Sequence, residues 1–132
     1  MAKVLVVDDE KQIRLMLHQM LKREGHHVSE AQNGKVALEL NRKEPADLVI
    51  TDVIMPEMEG IKTIMELKKE FPDVKVIAMS GGGKNKPEQY LNFAEKLGAD
   101  RTLTKPFNRE DLLNAISNVL GQSAQPEVKN SR

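Results

Sequence analysis

Three carboxylates, one hydroxyl and one lysine stand where short strand-like runs end. Asp8 and Asp9 follow Val4 to Val7, Asp52 follows Leu48-Val49-Ile50 and Thr51, Ser80 follows Val74 to Met79, and Lys105 follows Arg101 to Thr104. Carboxylates crowded together repel and raise one another's pKa unless a hard divalent cation takes oxygen ligands from them, so Mg²⁺ is the expected resident. A lysine opposite them makes sense if an anion also arrives, and the Ser80 hydroxyl can donate to one of that anion's oxygens. Together these groups describe a phosphoryl-transfer site, with metal and lysine neutralising the transferred group while a nucleophile attacks in line. Asp52 is the nucleophile candidate, because carboxylates form aspartyl-phosphate intermediates.

Each residue also has an ordinary reading. Asp9 fits the start of a capping box, with Gln12 at the third helical position. Asp52 before Met55-Pro56 fits a turn carboxylate, Ser80 a turn hydroxyl and Lys105 a surface lysine. Their conjunction at successive strand ends favours the site. Gly81-Gly82-Gly83-Lys84 fails the Walker pattern, since Ala78 and Asn85 take its first-glycine and hydroxyl positions, and it reads as a mobile loop. His18, His26 and His27 lack a ligand spacing with the carboxylates, and the methionines mostly fill apolar stripes.

The elements that must position these groups alternate along the chain. The continuous β-branched and aliphatic runs ending at Val7, Ile50 and Met79 read as strands covered on both faces, with His27 to Ala31 and Arg101 to Thr104 as weaker, more peripheral strands. Between them, Ile13, Met16, Leu17, Met20 and Leu21 form a helical stripe. So do Val36, Ala37 and Leu40; Ile61, Ile64, Met65 and a snorkelling Lys68; Tyr90, Leu91, Ala94 and Leu97; and Leu112, Leu113, Ile116, Val119 and Leu120. Gly25, Gly98 and Gly121 mark helix ends, and Pro87 marks a helix start. Strand-helix repeated five times calls for a parallel sheet with helices on both faces and right-handed crossovers. In such a sheet ligands sit beyond the carboxyl ends of the strands, at the switch in strand order. All five chemical residues emerge at that edge.

Composition bounds the rest. At 132 residues and roughly 100 to 200 residues per domain, one domain is expected, and 39% hydrophobic content can fill one core. Twenty basic and twenty acidic residues leave formal net charge +0, so no summed field draws the molecule to nucleic acid or anionic lipid. The absence of cysteine removes thiol chemistry and suits a reducing compartment. The apolar run before Asp8 is too short for a signal-peptide core or a membrane span, so a cytoplasmic location is expected. Residues 122–132 are polar and aperiodic and are expected to form a disordered tail to a domain of residues 1–121.

Asp8-Asp9-Glu10, Asp52-Val53-Ile54-Met55-Pro56 with Gly60 downstream, Met79-Ser80-Gly81 and Lys105-Pro106-Phe107 together resemble the receiver domain of two-component response regulators over about residues 2 to 121. The resemblance implies an α/β, doubly wound, flavodoxin-like fold with a five-stranded parallel sheet in order 2-1-3-4-5. It implies that Asp52 accepts a phosphoryl group from a sensor histidine kinase or histidine phosphotransfer protein. Mg²⁺ would be held by Asp9, Asp52 and the backbone carbonyl of Ile54, and by Asp8 through water. Ser80 and Lys105 would bind the phosphoryl oxygens, and Lys105-Pro106 would be a cis peptide. The family usually carries an aromatic residue three positions before the lysine, where this chain has Thr102. The stretch from Ser80 to Lys105 is also longer than usual around Gly82 to Lys86, so a loop-led switch involving Ser80 and Thr102 is expected.

This reading makes the chain a signalling switch that catalyses only its own phosphorylation and dephosphorylation. Its partners would be the kinase and a downstream protein target, with no direct nucleic-acid or membrane binding, as a monomer or weak dimer. Met1 and the lack of a basic recognition helix favour a free-standing receiver over a fragment of a longer regulator with an output domain. An aspartate-nucleophile phosphatase of the haloacid dehalogenase type wants a second Asp two residues after the nucleophile, where Ile54 stands. A flavin module of the same topology would have to seat an anionic cofactor among carboxylates.

Overall fold

The structure, a computed structural model, describes residues 2–53, 59–81, 92 and 94–124. Five strands, β1 (Lys3–Val7), β2 (His27–Ala31), β3 (Leu48–Asp52), β4 (Lys75–Gly81) and β5 (Arg101–Lys105), form one parallel sheet in the order β2-β1-β3-β4-β5. The helices α1 (Lys11–Arg23), α2 (Gly34–Lys43), α3 (Glu59–Glu70) and α4 (Arg109–Ala124) cover it, and Asn92 and Ala94–Lys96 are also helical. The doubly wound architecture and strand order expected from the sequence are thus present, and the two weaker strands pair as full members of the sheet.

Alternation along the strands sorts the core into two layers. Leu5, Val7, Val49, Val76 and Ala78 face α2, α3 and Ala94 through Ala37, Ile61, Ile64 and Leu67. Val4, Val6, Leu48, Ile50, Ile77, Met79 and Leu103 face α1 and α4 through Leu17, Leu21, Leu112, Ala115, Ile116 and Val119. Burying one such Leu or Ile contributes roughly 1.5–3 kcal/mol. An exposed ion pair such as Arg42 with Glu70, although bidentate at 2.6 and 2.9 Å, is screened by water and adds little, so the apolar layers hold the helices in place.

Helix ends follow local chemistry, with three departures from expectation. Asn33 caps α2 by accepting from Val36 N, and Asn108 and Asp111 exchange side-chain-to-backbone bonds at the start of α4. Gly25 and Gly98 adopt positive φ after helical segments. At α1, however, the N-cap is Glu10, and it makes no side-chain cap bond, so the ordinary reading of Asp9 as the start of a capping box does not hold. Gly121 does not stop α4, which runs on to Ala124 and takes the first three residues of the expected tail into the helix. Met16 and Met65, placed in apolar stripes by spacing, are exposed. Pro87, Gly82 to Lys86 and residues 125–132 lie outside the described residues.

Candidate functional site

β1 and β3 are neighbours at the switch in strand order, and their carboxyl ends carry the acids. Asp8 is fully buried. Its backbone N–H donates to the Ala31 carbonyl at 3.2 Å, and its Oδ1 accepts from Glu10 N at 2.8 Å, the local turn that a short carboxylate can make with the amide two residues on. Asp52 is 6% exposed, and its carbonyl oxygen accepts from the Thr51 hydroxyl at 3.1 Å. Asp9 is exposed beside them. One carboxylate oxygen from each of Asp8, Asp9 and Asp52 can be chosen so that all lie within 4.8 Å of one another.

Lys105 closes the cluster from the end of β5. Its Nζ donates to Asp8 Oδ2 at 3.2 Å and to Asp52 Oδ2 at 3.1 Å. Burial alone would lower its pKa, but the charges of Asp52 and Asp8 outweigh burial and raise it. Asp8 moves upward as well, because burial disfavours its charged form and repulsion from Asp52 adds to this, against the lowering effects of the Glu10 amide and Lys105. The Lys105-Pro106 peptide is cis, as expected. The candidate ligand atoms are all carboxylate oxygens, which matches a hard cation such as Mg²⁺.

By strand alternation, Asp8, Asp52 and Lys105 share the face of the α1–α4 core, whereas Ser80 belongs to the face of Val76 and Ala78. Ser80 is fully buried, and among the described residues its Oγ has no hydrogen-bond partner. It pairs in register with Thr104, two residues along β5 from the half-buried Thr102, which pairs with Ala78. Ile54, expected to offer a backbone carbonyl, lies outside the described residues.

Two contacts had no role in the sequence reading. Gly60 of α3 packs so closely on β3 that a Cβ there would fall 2.0 Å from the Asp52 carbonyl oxygen and 2.6 Å from Val53 Cα. Arg14 Nη1 donates to the Asp8 carbonyl at 2.6 Å. The signal for Arg14 was its place six residues after a strand-end carboxylate, since helical side chains lean back toward the N-terminus. Among the described residues the histidines are not part of the Asp8, Asp9 and Asp52 cluster: His18 meets Glu30 and His26 accepts from Ala2 N. Among the described residues no helix is long and apolar enough to cross a membrane.

Known proteins resemble this chain in sequence and fold. The chemotaxis protein CheY of Halobacterium salinarum is 37% identical over 121 residues, covering 91% of this chain and 98% of that protein. A homologue of the transcriptional regulatory protein CpxR from Haemophilus influenzae is also 37% identical, over 96% of this chain but 53% of its own length. Among solved structures, a response regulator receiver domain protein from Clostridium thermocellum superposes with a TM-score of 0.84 at 33% identity, covering 93% of this chain and 97% of that one. Residues 4–117 match the family described as the response regulator receiver domain, a span that begins in β1, ends in α4 and contains every acid of the cluster as well as Ser80 and Lys105. With the family match spanning most of the chain and the fold and strand order in agreement, this chain belongs to the response regulator receiver domains of two-component signalling.

Proposed function

We propose that this chain is a phosphorylation-activated response regulator whose phosphoacceptor is Asp52. A carboxylate oxygen of Asp52 attacks the phosphorus of a phosphohistidine on a kinase or phosphotransfer protein. The P–N bond breaks, and the imidazole nitrogen leaves with the electron pair. The observation that carries this reading is the convergence of the Asp8, Asp9 and Asp52 carboxylates with Lys105 Nζ bridging two of them. Asp9 and Asp52, with the Ile54 carbonyl, would hold Mg²⁺ directly and Asp8 through water, and the ion would supply neutralising charge for the incoming anion. Lys105 then turns toward a phosphoryl oxygen, and Ser80, whose hydroxyl lacks a partner among the described residues, donates to another. Movement of Ser80, with Thr102 leaving room for it, would carry the change to a downstream protein target. The receiver unit would close with α4 rather than at Gly121.

Acetyl phosphate should label the protein at Asp52 only when Mg²⁺ is present, and Asp52→Asn should abolish acid-labile labelling with the fold intact. Full labelling of that variant would defeat the assignment. Asp9→Ala should weaken Mg²⁺ binding, and an unchanged metal titration would remove Asp9 from the ligand set.

A further inference from the structure

Arg14 sits early in α1, outside the carboxylate cluster, with its side chain only 14% exposed. A guanidinium does not shed its proton, so one this enclosed needs fixed acceptors. Nη1 donates to the Asp8 carbonyl at 2.6 Å, and Nε lies 3.4 Å from Glu30 Oε1 on β2. The other Glu30 oxygen meets His18 Nδ1 at 2.7 Å. Glu30 is therefore held from two points on α1 and braces Arg14 against the sheet. The Asp8 carbonyl lies just past the end of β1, whose pairing with β2 and β3 stops at Val7. Its direction fixes the plane of the Asp8–Asp9 peptide, and the exposed Asp9 side chain turns with that plane.

We propose that Arg14, braced by Glu30, is a positioning residue that orients the Asp8–Asp9 peptide and so aims both carboxylates at the bound cation. This rests on the reading of the cluster as a Mg²⁺ site. A purely electrostatic role would have the opposite sign, because a positive charge beside the cluster repels Mg²⁺ and its removal tightens binding. A role confined to the fold would lower thermal stability and leave Mg²⁺ affinity unchanged.

The test is a Mg²⁺ titration of the full chain, followed by amide resonances, for wild type, Arg14→Gln, Arg14→Lys and Glu30→Gln. Arg14→Gln should weaken Mg²⁺ binding by about tenfold, the scale for outer partners of metal ligands, even though it removes a repelling charge. Arg14→Lys keeps the charge but loses the planar fork, and should weaken binding too. Tighter binding by Arg14→Gln, or wild-type affinity in Arg14→Lys, overturns the proposal. If Arg14→Gln does not fold, Arg14→Lys decides. The Asp9 amide gives a readout in metal-free protein, and its resonance should shift in the Arg14 variants. Should wild type bind no Mg²⁺, the metal-site reading falls, and the positioning role then stands or falls on whether that amide moves.

Discussion

Asp8 shows what a buried carboxylate of the cluster costs its own fold. Its carboxyl is buried, and its pKa is raised because burial disfavours the anion, with Asp52 adding repulsion. The sign follows from linkage: the folded state binds the proton more tightly than the unfolded chain. The stabilising contribution is therefore complete below the unfolded value of about 3.9 and is lost as pH rises through the folded one. At neutral pH the charge works against folding. Asp8→Asn should accordingly raise the melting temperature of metal-free protein at pH 7 by roughly 2–6 °C, on the order of 1 kcal/mol, while Mg²⁺ affinity falls. A melting temperature at or below wild type would show that pairing with Lys105 outweighs desolvation. Lys105 makes that outcome measurable because its Nζ already serves both Asp8 and Asp52.

At the scale of elements, the two glycines that a reader of the sequence would treat alike behave differently. Gly98 has φ +119°, and a Cβ there would lie 2.9 Å from Lys68 Cγ, on a side chain held by the Val74 carbonyl and Asp100. Gly121 lies inside α4 with open space where a Cβ would go. Gly121→Ala should therefore stabilise by about 0.5–1 kcal/mol, through helix propensity and a less free unfolded chain. Gly98→Ala should destabilise by about 1–3 kcal/mol. Thermal denaturation of both variants checks the pair, and matching shifts would refute the distinction. Spacing reveals which residues repeat but not how wide a buried stripe is. Met16 and Met65 therefore looked like core from their period and proved exposed, while Leu17, Leu21, Ile64 and Leu67 are fully buried. Lys68 was legible as a snorkelling stem, but its partners are the Val74 carbonyl just before β4 and Asp100 just before β5, which only folding brings together.

Across the whole molecule, sheet order and the site's edge were legible because a parallel sheet puts every strand end on one side, so Asp8, Asp52, Ser80 and Lys105 needed no further information. The contacts of Arg14, Glu30 and Gly60 were not legible, although Gly60 itself stands in the motif that carries the resemblance, because they depend on how α1 and α3 lie on the sheet. The same sheet has an opposite edge, where His26 accepts from Ala2 N. Burial first, and the positive amino terminus second, hold its pKa below the ordinary range, against Glu24. Neutral His26 is favoured by the fold, so this stability is present above about pH 6.5 and is lost as pH falls through that value toward the folded pKa. The decline in unfolding free energy between pH 7 and 5.5 should be shallower in His26→Gln, and an identical slope would exclude His26 as its source. At the acidic edge, the missing side chain of Gly60 has a mechanical meaning. Nothing compressible separates α3 from the backbone that carries Asp52. A side chain in between could absorb a small displacement by changing rotamer, whereas two backbones in contact behave as a pushrod, and any shift of the Asp52 carbonyl arrives at α3 undamped.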